Sequence, residues 1–217
     1  ANQRNFGLRE IEYKHDWIFM LDADEEVPIQ LMMEMQDNIN IADSSVTMFR
    51  LKRKDFFYGK WIKNSSKYPI WFGRLMKIGS NHIEREINEE FHTTGKIQYL
   101  KNHIHHYPFN KGIEYWFERH NSYSSMEAKL KYHFGFAPLS FKNLVVKDKV
   151  VRRKALKALL HKLPCRPLVV FLGLYFLRGG IWEGKAGLNY CIMTSIYEYM
   201  IDCKVLELKH RSKNKLL

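Results

Sequence analysis

Cysteine is scarce in this chain. Cys165, Cys191 and Cys203 are its whole complement, far apart, and they form neither a CxxC pair nor a zinc-binding spacing. That excludes a disulfide framework and a structural zinc site, and it predicts buried free thiols of the kind a reducing compartment maintains. Long apolar runs are lacking too. A helix that crosses a bilayer needs roughly twenty apolar residues, whereas the run Leu168 to Leu177 is interrupted by Gly173 and stops well short. There is no internal repeat and no low-complexity tract. No charged, apolar leader opens the chain, which starts Ala-Asn-Gln-Arg and is expected to be internal to a longer polypeptide.

Acidic residues are outnumbered: 35 Lys and Arg stand against 23 Asp and Glu, for a net charge of +12. Such a balance implies anionic company, whether nucleic acid, a phosphate-bearing substrate or an anionic membrane surface. A length of 217 residues suffices for one ordinary domain with a sizeable core, or for a domain with an appendage.

The most informative stretch is Trp17-Ile18-Phe19-Met20-Leu21-Asp22-Ala23-Asp24-Glu25-Glu26. It reads as a buried strand that delivers carboxylates to its carboxyl end. Strand alternation would point Asp22 and Asp24 the same way, and two like-facing carboxylates repel unless a cation sits between them. A divalent ion with oxygen ligands, Mg²⁺ or Mn²⁺, itself holding a phosphate, suits that arrangement. The competing reading is an exposed acidic turn before the helix that follows Pro28.

Residues Asn2 to His15 read as a short surface helix, and Ile29, Leu31, Met32, Met35 and Ile39 as the apolar face of a second. Val46 to Lys54 reads as a strand with a basic face, in which Val46 and Met48 are followed, one step out of phase, by Phe49 and Leu51. Tyr58-Gly59-Lys60 reads as a turn. Trp61, Tyr68, Trp71 and Phe72 are interleaved with Lys60, Lys63, Lys67 and Arg74, a pattern that fits sugar rings or single-stranded nucleic acid, and equally an ordinary core. Glu84, Glu86, Glu89 and Glu90 precede an alternating strand Lys96 to Leu100 and the cluster His103-Ile104-His105-His106. Alternation separates His103 and His105 from His106. Any of the three could ligate metal or serve structure.

Lys111 to Tyr132 is expected to be a long helix that buries Ile113, Trp116, Phe117, Tyr123 and Leu130. Across Arg153 to Leu163, Ala155, Leu156, Leu159, Leu160 and Leu163 share one arc opposite Arg153, Lys154, Lys157 and His161, a basic amphipathic helix. The apolar run Leu168 to Leu177 is then either a core helix or an interfacial segment. Leu188 to Leu208 reads as a further helix, and the basic tail His210 to Leu217 as disordered.

Taken in order, Arg4-Asn5 with Gly7-Leu8, Asp16-Trp17-Ile18, Leu21-Asp22-Ala23-Asp24-Glu25, Arg74-Leu75, Asn88-Glu89 with Gly95, and Ile104-His105-His106-Tyr107 resemble the family 2 glycosyltransferases of the GT-A fold. The resemblance is strongest to the bacterial branch that includes the lipopolysaccharide core β-glucosyltransferases. Tyr175-Phe176-Leu177-Arg178-Gly179-Gly180, Glu183-Gly184, Gly187-Leu188 and Tyr197-Glu198-Tyr199 extend it over nearly the whole chain.

The resemblance implies an α/β GT-A domain lacking its first strands over residues 1–140, followed by a basic, helical membrane-surface module over 141–217. It implies Asp22 and Asp24 as the DxD element, with Asp24 the more direct ligand of Mg²⁺ or Mn²⁺ and His106, or its rival His105, assisting. Arg4 and Asn5 would line the donor site, Glu89 or its neighbour Glu90 would be the catalytic base, and Arg74 and Trp71 would face the acceptor. The activity implied is inverting transfer from a nucleotide-diphosphate sugar to a lipid-linked saccharide, at the cytoplasmic face of the bacterial plasma membrane. An anionic membrane surface is expected as partner, and nucleic acid is not. Asn88 stands where close relatives often have His, which bears on the acceptor. Two readings compete: a metal-dependent nucleotidyltransferase, and a non-enzymatic basic module that binds RNA or membrane.

Overall fold

The computed structural model describes residues 2–66, 68–84, 90–134, 146 and 165–213, residue 90 by its backbone alone. They fall into two compact units, Ala1–Asn110 and Lys111–Leu217. The boundary expected at 140/141 lies outside the described residues, as do Glu86, Glu89 and the basic stretch Arg153 to Leu163.

The N-terminal unit is mixed α/β with a curled mixed sheet. Helix α1 (Asn2–Arg9) precedes β1 (Trp17–Phe19) and β2 (Glu25–Glu26); α2 (Ile29–Ile41) leads to β3 (Val46–Phe57), β4 (Lys60–Trp61) and β5 (Trp71–Lys77). The hairpin of β6 (Asn81–Glu84) and β7 (Glu90–Thr93) follows, and β8 (Lys96–His106) returns to the sheet. The strand order is β1-β5-β3-β8-β2 with β4 on β3; among the described strands only β3 and β8 pair in parallel.

The out-of-phase apolar pattern of β3 has a physical cause. The β3–β8 register shifts between Val46 and Met48, where β3 carries one residue more than β8, and such a bulge resets which side chains face the core. Phe49 and Leu51 therefore pack with Val46, Leu75, Leu100 and Ile104 beneath Leu31 and Met35 of α2. Each such side chain contributes about 1.5–3 kcal/mol by leaving water. A second shift, between Arg50 and Lys52 on the β8 side, passes over residues 100–102. There the Glu34 carboxylate of α2 accepts the backbone N–H groups of Lys101 and Asn102, at 2.6 and 2.8 Å. Tyr58 and Gly59, both at positive φ (49° and 70°), make the two-residue turn from β3 to β4.

In the C-terminal unit, α3 (Gly112–Phe134), α4 (Arg166–Leu172), a π-helical turn Gly173–Leu177, a 3-10 turn Gly180–Glu183 and α5 (Gly184–Arg211) follow one another. Ala128 of α3 packs on Ile201 and Val205 of α5. Arg166 pairs with Glu198 and Asp202 of α5, and Ser195 donates to the Pro167 carbonyl at 2.6 Å, so α4 is fastened along α5. At Gly187 any Cβ would collide with the Gly180 carbonyl and the Glu183 side chain, so glycine is what lets the turn lie against the helix.

Several expectations need correction. The expected strand Trp17–Leu21 is only Trp17–Phe19, half-buried at the edge of the sheet. Helix α1 ends at Arg9, well before His15. On α3, Phe117 and Leu130 are exposed, and the buried positions are Trp116, Ser124 and Ala128, because Lys204 of α5 reaches Ser124 and small residues allow the close approach. None of the three cysteines is in a disulfide, but only Cys191 is buried. Helix α5 continues to Arg211, into the tail expected to be disordered, steadied by an Arg211–Glu207 pair one turn apart.

Candidate functional site

The carboxylate stretch is a turn. After β1 the chain leaves its pairing with β5 and must reach β8, at the other side of the sheet, to form β2. Met20 donates its N–H to the Arg74 carbonyl at 2.8 Å, and Tyr107 donates its own to the Asp24 carbonyl at 2.8 Å, so both ends of the crossing are tied down. Within it the Glu25 N–H reaches the Asp22 carbonyl at 3.0 Å, and the Asp22 N–H reaches Glu25 Oε2 at 3.0 Å. Strand alternation therefore does not orient Asp22 and Asp24; the turn does, and the reading of an acidic turn before α2 describes the backbone correctly.

Two guanidinium groups take Asp22. Arg4 reaches Oδ1 at 2.5 Å, and Arg74 reaches Oδ2 at 2.7 Å and Glu25 Oε1 at 2.6 Å. The Glu25 side chain is 0% exposed and that of Arg74 4%, which leaves this pair no solvent to share its charge. Burial by itself raises the Asp22 pKa, but Arg74 and then Arg4 outweigh it and hold the carboxyl below its ordinary value.

Asp24 faces a different partner. His106 Nε2 lies 3.4 Å from Asp24 Oδ2, while its Nδ1–H donates to Asp55 Oδ1 at 2.6 Å. Asp55 is buried and also held by Arg53 at 2.9 Å. Burial pulls the His106 pKa down, but the bonds to Asp24 and Asp55 prevail and raise it. The Phe72 ring lies under both the Arg53 and the Arg74 guanidinium groups, at 4.7 and 5.8 Å. The β5–β3–β8 pairing thus collects Arg53, Asp55, Arg74 and His106 beneath the turn, with Arg4 supplied by α1.

Of the residues expected in the site, Arg4, Asp22 and Arg74 are joined directly, and Asp24 and His106 form the second pair. Asn5 sits with neither. Its side-chain amide is spent on both backbone groups of Ile83, at 2.6 and 2.9 Å, and holds α1 to β6. Trp71 belongs to the opposite face of the sheet from its neighbour Phe72. There it carries Lys52 over its ring at 5.2 Å and meets Tyr99 edge-on at 5.0 Å. Lys54 similarly covers Trp61 at 4.4 Å, and Tyr68 stacks on His103. Burial first, then Lys54 and Lys52, lower the His103 pKa to about 4. Arg74 and Trp71 thus do not form a common surface. Glu89 is outside the described residues, and Glu90 is placed only as the backbone partner of Glu84.

Asp55, Arg53 and Glu25 were not singled out for the site. Asp55 had a signal: it is the one acid in β3, a strand otherwise basic and apolar.

Among the described residues no three His, Cys, Asp or Glu side chains are grouped to hold a metal ion. The donors that fit one are a pair, Asp24 with His106. The Asp55 bond to Nδ1 turns Nε2 toward Asp24, the carboxylate–histidine brace common behind metal-binding imidazoles. Mg²⁺ and Mn²⁺ often take one or two protein ligands and complete their shell with phosphate oxygens and water, which suits so small a set.

Fold and cluster define a mixed α/β protein whose acidic turn, laid across the end of the sheet, is neutralised by arginines on one side and a histidine on the other. Protein-family models yield no match to the chain, and no curated protein matches it.

Proposed function

We propose that the chain is the larger part of a GT-A glycosyltransferase, lacking the first strands of the domain, that transfers a sugar with inversion from a nucleotide-diphosphate donor to a lipid-linked saccharide. The observation that carries this reading is the braced pair Asp24–His106 beside an Asp22 already clamped by Arg4 and Arg74. A divalent ion bound at Asp24 and His106 would neutralise the departing diphosphate. Arg4 and Arg74 fix the turn so that Asp24 meets the donor in one position. The acceptor hydroxyl oxygen forms its bond to the anomeric carbon as the bond from that carbon to the diphosphate oxygen breaks. The hydroxyl proton passes to the carboxylate of Glu89, or of Glu90, and the electron pair leaves with the diphosphate. Envelope glycan of the lipopolysaccharide core type is the acceptor class, and the cytoplasmic face of the plasma membrane the place. Among the described residues no helix is long and apolar enough to cross a membrane.

The test is hydrolysis or transfer from a panel of nucleotide sugars with Mn²⁺ or Mg²⁺. Asp24→Asn and His106→Ala should each lower turnover about a hundredfold or more, the scale of losing a metal-site contact. Absence of metal-dependent turnover of any nucleotide sugar by the unaltered protein would sink the proposal, and release of pyrophosphate from nucleoside triphosphates would replace it with nucleotidyl transfer. The lysines seated on Trp61 and Trp71 favour a second reading, a non-enzymatic basic binding module. Under that reading Asp22→Asn with Asp24→Asn leaves binding of RNA or membrane unchanged.

A further inference from the structure

Helix α4 is turned inside out for a helix facing water. Its arginine, Arg166, is 6% exposed and buried against Glu198 and Asp202. The outer side of α4 and of the π-helical turn that continues it is apolar: Leu168, Leu172 and Phe176 recur every fourth residue at 56%, 42% and 55% exposure. The π-helical turn adds Leu177, 90% exposed, and the 3-10 turn that follows adds Trp182, 83% exposed. A charge turned inward and leucine, phenylalanine and tryptophan turned outward is the reverse of the usual amphipathic arrangement, and a contiguous exposed apolar patch marks an interaction surface.

We infer that this patch is a membrane anchor that inserts into the apolar edge of one leaflet of an anionic bilayer. Three observations choose lipid as the occupant. The stretch 142–163, which leads into α4, carries Lys142, Lys147, Lys149, Arg152, Arg153, Lys154, Lys157 and Lys162 against the single acid Asp148, complementary to anionic headgroups. Trp182 stands at the end of the patch, and an indole combines an apolar body with a polar N–H suited to the headgroup boundary. Among the described residues no helix is both long and apolar enough to span, and the patch has the length and one-sided apolar face of a segment that lies in the interface. Stable anchoring of this kind takes two signals, here apolar insertion and a polybasic segment. The inference rests on the membrane part of the proposed function and deepens it: of the two readings of Leu168 to Leu177, core helix or interfacial segment, it takes the second, names the side chains that insert and extends the attachment to Trp182.

Flotation of the purified protein with vesicles tests it, without donor or acceptor. The vesicles are phosphatidylcholine alone, or phosphatidylcholine with roughly a third phosphatidylglycerol, at salt of about 0.1 M and about 1 M, where the Debye length falls from about 10 to 3 Å. Binding to the anionic vesicles should persist in part at high salt. Leu177→Ser with Trp182→Ser should lower it about tenfold or more, and Leu177→Met with Trp182→Phe should restore it. Trp182 fluorescence, taken as the difference from Trp182→Phe, should be quenched by lipids brominated on the acyl chain. Asp24→Asn should bind as the unaltered protein does, so a failure of sugar transfer is told apart from a failure of anchoring. Three results would each overturn the inference: no binding, binding that salt abolishes and the serine variant leaves intact, or dimers that the serine variant dissociates while vesicles are ignored.

Discussion

Replacing Arg74 by methionine removes the cation from the most enclosed ion pair of the turn. The side chains of Arg74 and Glu25 are 4% and 0% exposed, so the substitution leaves Glu25 as a buried carboxylate whose remaining described partner is the Asp22 N–H. Breaking a buried pair from one side costs about 3–5 kcal/mol, because the orphaned charge keeps its desolvation penalty and loses its partner. Divided by 1.36 kcal/mol per decade, that is roughly two to four orders of magnitude in local opening. Hydrogen exchange reads it where it falls: the amides of the β1–β5 ladder should exchange faster by about that factor. Glu25→Gln added to Arg74→Met should recover much of the loss, since the second change removes the orphaned charge. A loss below about 1 kcal/mol, or no recovery in the double variant, would show that the turn does not depend on this pair.

Two histidines should titrate in opposite senses. His106 is raised, so its ion pair with Asp24 contributes stability that is fully present below 6.5 and is lost as pH rises through the higher folded value. Its imidazole resonances should titrate above 6.5, Asp24→Asn should lower the midpoint, and affinity for Mn²⁺ should grow with pH as the ring gives up its proton. His103 should titrate near 4. Lys54→Met should raise that midpoint only partway, because burial is the larger cause; full return to 6.5 would contradict this ordering.

Legibility followed the range of the interaction. The phase slip between Val46 and Phe49 was visible in the sequence because a bulge changes the local pattern that periodicity measures. The separation of His106 from His103 and His105 followed from alternation along β8, and pairing with β2 then puts His106 opposite Glu25. The end of β1 was not legible. Five apolar residues in a row carry no mark of where pairing stops, and Leu21, half exposed, already belongs to the crossing. Asp55 was missed since its partner His106 meets it only through the parallel β3–β8 pairing, a contact set by topology. On α3 the apolar period favoured large residues, whereas packing on α5 uses Ala128 and Ser124, which no hydrophobic pattern ranks highly.

The two aspartates of the turn carry the same charge, two residues apart, and the structure makes them unequal. Asp22 has each oxygen on a different guanidinium group and a pKa held down, so it stays ionised without any further cation. Asp24 has the His106 imidazole at 3.4 Å, and that imidazole is itself titratable. At Asp22 an added divalent ion would have to displace an arginine first, which leaves it little electrostatic gain there. The repulsion that first suggested a metal between the two carboxylates is therefore already half relieved by protein. A cation requirement at this turn should follow substitution of Asp24 and be nearly indifferent to the charge of Asp22, provided Arg4 and Arg74 still hold the backbone in place.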